Sequence, residues 1–193
     1  MSSSHDRDGD GTGLAGRLRR ETGISVAQCY QCGKCSAGCP LASEMDYPPS
    51  QILRLLQMGF RELDEQALGA HSIWLCLTCE TCHTRCPKEV DLPRVMDFLR
   101  HRALSEGRVH PAARDIVAFH KAFLSAVRSQ GRLYEVGLIM NYKMRTGHLL
   151  QDLMAAPKLL VRGKLNPLPH PIEGKAGVRE IFDRTADGEG ARP

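Results

Sequence analysis

All eight cysteines of this chain fall into two copies of one pattern, Cys29-x2-Cys32-x2-Cys35-x3-Cys39-Pro40 and Cys76-x2-Cys79-x2-Cys82-x3-Cys86-Pro87. The spacing limits what the chain can build. Three closely spaced cysteines can wrap a loop around one cubane and reach three of its irons. The fourth is displaced and followed by a proline that turns the chain, so it points elsewhere. In a two-cluster arrangement it ligates the other cluster. The expected ligand sets are Cys29, Cys32, Cys35 and Cys86 for one [4Fe–4S] cluster, and Cys76, Cys79, Cys82 and Cys39 for the other. Each cluster then ties two stretches of chain together, which couples metal binding to folding. Gly33 and Gly38 let the first loop's backbone approach the sulfurs. The second loop has no glycine and is expected to be more helical.

Competing metal readings fit less well. Zinc takes four ligands, usually from two separated pairs, and has no use for the x2-x2-x3-Pro pattern. Cys79-Glu80-Thr81-Cys82-His83 matches a c-type haem attachment motif, but haem would consume two cysteines of a complete cluster set. His83 is left as a neighbour of the loop or a surface residue. Asp6-x-Asp8-x-Asp10-Gly11 begins like a calcium loop, yet Arg17 stands where a bidentate Glu is required. His120, on an apolar face, reads as a core residue rather than a ligand.

Composition sets the remaining bounds. No run approaches the eighteen apolar residues of a membrane span, and the N-terminus lacks the apolar segment of a secretory signal. The expected location is the cytoplasm, where thiols stay reduced and cysteines serve metals rather than disulfides. The formal charge of +4 counts each cysteine as neutral. Two clusters with thiolate ligands add about −4, so the loaded protein sits near neutrality and no nucleic-acid partner is expected.

The chain reads as mostly helical. Residues 1–13 form a polar tail expected to be disordered, and 14–107 a helical domain holding both clusters. Residues 108–165 form a helical extension, and 166–193 an extended tail. Ile52, Leu55, Leu56, Gly59 and Leu63 follow helical spacing after Tyr47-Pro48-Pro49-Ser50. Asp91 is an expected N-cap with Pro93 in the first turn, followed by a stripe of Leu92, Val95, Met96, Leu99 and Ala103. Pro111 opens a helix whose Ile116, Phe119, His120, Phe123 and Val127 share a face, broken at Gly131. A further helix runs through Tyr134, Leu138, Ile139 and Tyr142, and another stretch lies between Gly147 and Pro157. Basic residues dominate beyond Arg100, and the Leu159–Pro171 stretch is proline-rich, features that suit docking onto an acidic partner.

The helical stretch between the cysteine blocks resembles the all-helical ferredoxin module of succinate dehydrogenase and fumarate reductase. No cysteines remain here for the [2Fe–2S] domain that accompanies it there. A closer resemblance is to the C subunit of heterodisulfide reductase and of heterodisulfide reductase-like complexes. It is carried by Gln28-Cys29-Tyr30-Gln31-Cys32-Gly33-Lys34-Cys35-Ser36-Ala37-Gly38-Cys39-Pro40, by Pro49-Ser50-Gln51-Ile52-Leu53-Arg54-Leu55-Leu56-Gln57-Met58-Gly59, and by Trp74-Leu75-Cys76-Leu77-Thr78-Cys79-Glu80-Thr81-Cys82. It covers roughly Glu21 to Gly107. The resemblance implies an all-helical ferredoxin domain with a helical C-terminal extension, inside a hetero-oligomer. It implies a relay between a flavin-containing A subunit and a cysteine-rich, disulfide-active B subunit, with no substrate turned over on this chain. Related complexes occur outside methane metabolism, including in bacterial sulfur oxidation, and an arginine-rich, lysine-poor chain favours a bacterial relative over a methanogen. The alternatives are an independent soluble ferredoxin-type carrier and, more remotely, an iron–sulfur redox sensor. No helix-turn-helix with a concentrated basic recognition helix supports the sensor.

Overall fold

Apolar residues at helical spacing, punctuated by glycine and proline, give a chain of helices in the computed structural model, which describes residues 13–148, 161–162, 168–169 and 172–189. In order these are α1 (Leu14–Thr22), α2 (Lys34–Ala37), α3 (Pro49–Met58), α4 (Arg61–Gly69), α5 (Ser72–Leu75) and α6 (Thr81–Thr84). They are followed by α7 (Leu92–Ser105), α8 (Arg114–Gln130), α9 (Glu135–Thr146) and α10 (Lys175–Glu189). No β-strand forms among the described residues. None of their helices is long and apolar enough to cross a membrane. All but Gly13 of the expected polar tail lies outside the described residues, as do most of the stretch after His148 and most of Leu159–Pro171.

The chain divides into two compact units between Ala113 and Arg114. In the first, α7 is the central packing element. Its stripe of Leu92, Val95, Met96, Leu99 and Ala103 is at most 1% exposed, as the spacing predicts. Asp91 caps it by accepting from the Arg94 amide at 3.2 Å. Helices α1, α4, α5 and α6 all pack on α7, while α3 packs against α1, α2 and α4. Leu18, Ile52, Leu53, Leu56 and Ile73 fill the space between them. Burying a leucine in this way stabilises the fold by roughly 1.5–3 kcal/mol before ordering costs. Asp64 on α4 is buried and accepts from the Leu14 amide at 2.8 Å, which fixes the start of α1.

The single helical run expected from Ile52 to Leu63 is two helices. Gly59 adopts φ 64° and ends α3 in the left-handed region, which glycine enters at no steric cost. The chain then turns into α4, so Leu63 belongs to a different helix from Ile52.

In the second unit α8 and α9 form an antiparallel hairpin, with Phe119 meeting Tyr142 edge-on at 6.1 Å and His148 lying 3.5 Å from Asp115. The break at Gly131 (φ 78°) is where the sequence places it. The face expected to be buried is not. Val117, Ala122 and Ala126 are buried, whereas Phe119 and Phe123 are 43% and 37% exposed and His120 is exposed too. The small side chains allow close helix approach, and the large ones flank the contact. Residues 175–189 are helical rather than extended, with Arg128 of α8 bonding Asp183 of α10. The proline-rich stretch that suggested extended chain stops at Pro171, and Lys175–Glu189 contains no proline to break a helix.

Asp46 joins the two cysteine-bearing halves of the first unit. Its carboxylate accepts from the amides of His71 and Ser72, each at 2.8 Å, from the Tyr47 amide at 3.0 Å, and from the Ser72 hydroxyl. Burial alone would raise its pKa, but these four donors outweigh it and hold the carboxyl below its usual value. A depressed folded-state pKa contributes stability above the unfolded value of about 4, and that stability is lost as pH falls through the folded value. Asp46→Asn is therefore expected to cost about 1 kcal/mol at pH 7, below the usual range for hydrogen bonds to charged groups because the group is largely solvated. Anaerobic chemical denaturation should show this cost shrinking as the pH drops below about 4.

Candidate metal centre

The two cysteine loops follow the same backbone path, residue for residue. The second residue after each leading cysteine has positive φ, Gln31 at 61° and Thr78 at 53°. So does the residue after each second cysteine, Gly33 at 76° and Glu80 at 60°. Each loop then makes one four-residue helix, α2 and α6. The second loop is thus no more helical than the first. It reaches the same conformation without glycine, by holding Thr78 and Glu80 in the left-handed region, at about 1–2 kcal/mol each.

That conformation turns amides toward sulfur. The Gln31 amide lies 3.4 Å from Cys29 Sγ, and the Val90 amide 3.4 Å from Cys86 Sγ. The Lys34 amide, aided by the Tyr30 hydroxyl, lowers the pKa of Cys32, and the Thr81 hydroxyl and amide lower that of Cys79. Burial acts the other way on the third cysteine of each block. It raises Cys35 against the opposing Ser36 amide and hydroxyl, and pushes Cys82 up to about 11, with the nearby charge of Cys76 adding to the effect. Cys32 and Cys79 are exposed, Cys35 is buried, and Cys29, Cys39, Cys76, Cys82 and Cys86 are half-buried.

The loops also face one another. Helices α2 and α6 are in contact. A Cβ on Gly38 would sit 2.5 Å from Arg85 Cδ, so glycine admits the arginine of the opposite loop. The charge of Cys86 reaches Tyr30 together with those of Cys32 and Cys29, and the charge of Cys35 reaches Cys82. Each fourth cysteine follows the helix of its loop, its amide bonded to Ser36 O at 3.1 Å for Cys39 and to His83 O at 3.0 Å for Cys86. Among the described residues, no three His, Cys, Asp or Glu side chains converge on the scale of a single ion. Eight thiols spread over two amide-lined loops have the chemistry and the breadth for multi-iron clusters.

Several residues around the thiols carried no signal in the cysteine spacing. Gln57 on α3 donates to Val26 O at 2.8 Å and Cys29 O at 2.6 Å. Gln31 Nε2 bonds Gln57 Oε1 at 2.8 Å. Arg100 on α7 donates to Ile73 O and Cys76 O. Ser36 and Ser50 share a hydroxyl contact at 2.8 Å that ties α2 to α3. His83 sits on α6, half-buried, beside the ligand loop.

Fold and loops together define a helical two-cluster ferredoxin, and the family described as a 4Fe-4S dicluster domain matches residues 25–90. Heterodisulfide reductase C subunits are similar over a longer span. One is the C subunit of the H2:CoB-CoM heterodisulfide,ferredoxin reductase of Methanothermobacter thermautotrophicus, 30% identical over 173 residues, covering 88% of this chain and 80% of that protein. The chain belongs to the family of heterodisulfide reductase C subunits, and it is an iron–sulfur electron-transfer protein holding [4Fe–4S] clusters. Further relatives are iron-sulfur C subunits of the CoB--CoM heterodisulfide reductases of Methanocaldococcus jannaschii, 31% identical, and Methanopyrus kandleri, 34% identical. The alignments cover 58% and 53% of this chain, and it spans little more than half the length of each, 58% and 52%.

The positive-φ positions give a direct test of the loop geometry. Gly33→Ala should lower stability by about 1 kcal/mol, whereas Glu80→Gly should be neutral or stabilising by up to about 1 kcal/mol. The rate of cluster loss in anaerobic denaturant, followed by visible absorbance, should rank the variants in that order.

Proposed function

We propose that this chain is the relay of a cytoplasmic heterodisulfide reductase-type complex, passing electrons between a flavin-containing A subunit and a cysteine-rich B subunit. The observation that carries this reading is that every cysteine is committed to one of two mutually facing loops. No thiol is left for disulfide chemistry, so the chain conducts and does not turn over substrate. The arginine-rich, lysine-poor composition favours a bacterial over a methanogen setting for that complex, bacterial sulfur oxidation being one such system. A tag on this chain, used to isolate the complex anaerobically from its host, should bring down a flavoprotein and a second cysteine-rich protein. Recovery of the chain alone would favour the independent carrier instead.

The proposed ligands are Cys29, Cys32, Cys35 and Cys86 for one cluster, and Cys76, Cys79, Cys82 and Cys39 for the other. Packing of α2 on α6 and the closeness of Cys86 to Tyr30 support the crossing. Each [4Fe–4S] cluster supplies a one-electron centre. The chain's own residues hold the two centres near one another, meet the sulfur charge with amides, and keep Cys35 buried and Cys82 half-buried. Cys39→Ser should perturb the EPR signal of the second block's cluster, and Cys86→Ser that of the first. The opposite pattern would show that each block closes on itself.

The second compact unit is the proposed docking element. It has no cysteine, α9 has no buried residue, and Leu124, Met140 and Met144 are 52%, 59% and 66% exposed. Exposed Arg114, Lys121 and Arg145 lie on the same two helices. Apolar contact would give affinity, and the cations would steer the chain toward an acidic partner. A chain ended at Ala113 should keep both clusters by iron analysis but assemble about tenfold or more weakly, with a deficit that grows with salt. Undiminished assembly would rule this unit out as the docking element.

A further inference from the structure

The internal repeat extends beyond the cysteines to a pair of clamps, and the two clamps differ in charge. Val26 and Cys29 stand three residues apart at the entry to the first loop, as Ile73 and Cys76 do at the entry to the second. In each half, one long side chain from the helix that follows the cysteine block reaches back and donates to both carbonyls. From α3 it is Gln57, to Val26 O and Cys29 O. From α7 it is Arg100, to Ile73 O through Nε and to Cys76 O through Nη2. The positioning task is the same, but a neutral amide performs it on one side and a permanent cation on the other.

We propose that Arg100 is a positioning residue that also raises the reduction potential of the cluster on the second block, so that an electron in this chain is held more strongly there than on the first. The physical ground is electrostatic. Reduction adds negative charge to the cluster, and a fixed positive charge bonded to the carbonyl of a ligand residue favours the reduced form. Arg100 is only 18% exposed, so water and salt screen it less than a surface charge. Opposing groups are weaker. Lys34 and Arg54 beside the first loop, Arg85 against Gly38, and Glu80 on the second loop are all exposed and solvated. Asp97 pairs with Arg100 at 2.8 Å but is 56% exposed, and offsets only part of its charge. The Gln31 contacts to Cys29 Sγ, at 3.4 and 3.6 Å, favour the first cluster, yet they are long and carry no net charge.

The inference rests on the two-cluster relay reading, although it holds whichever block supplies each fourth ligand. The experiment is an anaerobic redox titration of the full chain followed by EPR. Cys79→Ser marks which signal belongs to the second block, since Cys79 belongs to that block's cluster under either ligand set. Arg100→Gln, which copies the other half's clamp, should lower that midpoint and narrow the gap between the two, leaving the first block's midpoint in place. Arg100→Lys should restore most of the shift. An unchanged midpoint in Arg100→Gln, or an equal fall in Arg100→Lys, would overturn the role of charge. If Arg100→Gln fails to load its cluster, Asp97→Asn decides. This exposed substitution removes the partial neutralisation and should raise the same midpoint, and no rise would refute the proposal. A failure of the ligand assignment shows separately, in the Cys39→Ser and Cys86→Ser spectra.

Discussion

Thiolate sulfur concentrates negative charge, and the chain must meet that charge with backbone N–H groups brought within reach. Everything around the two loops follows from this requirement. Amides turn inward only if the chain enters the left-handed region twice per loop, at Gln31 and Gly33 and again at Thr78 and Glu80. A backbone held in that shape needs support from outside. Gln57 and Arg100 provide it by fixing the carbonyls at each loop entrance, which requires α3 and α7 to lie close enough for those side chains to reach back. The apolar cluster of Ile52, Leu56, Leu99 and Ile73 in turn keeps these helices in register.

The cysteine spacing made the cofactor legible, because few chemistries need four thiols in that order. The stripe on α7 was legible for a similar reason: five apolar residues at one helical period, with a cap and a proline at the start, admit one structure. The conformation of the second loop was not. Intrinsic preference says that Thr78 and Glu80 avoid positive φ, and the demand for inward amides overrides it. The clamps were invisible for another reason. Gln57 and Arg100 lie at different distances from their cysteine blocks, so only the folded helices show that they are equivalent. On α8 the periodicity identified a helix but assigned the wrong face to the interior, since a stripe of alanines can bury as readily as one of phenylalanines.

The relation between the halves is therefore closer in backbone than in sequence. Glycine at Gly33 and glutamate at Glu80 share one conformation. Ser36 joins α2 to α3 through Ser50, while His83 holds the corresponding place on α6. Duplicated geometry with divergent side chains lets two chemically identical centres sit in unlike surroundings.

The exposure of the middle cysteine in each loop has a consequence for the fate of the empty chain. Cys32 and Cys79 are the most exposed thiols, and hydrogen bonding lowers the pKa of both. Thiolate character and access together determine where oxidants attack. A chain stripped of iron would be oxidised first at these two points, to sulfenic acid and then to a disulfide with a nearby thiol. Reassembly of the clusters would then depend on reductants that restore Cys32 and Cys79.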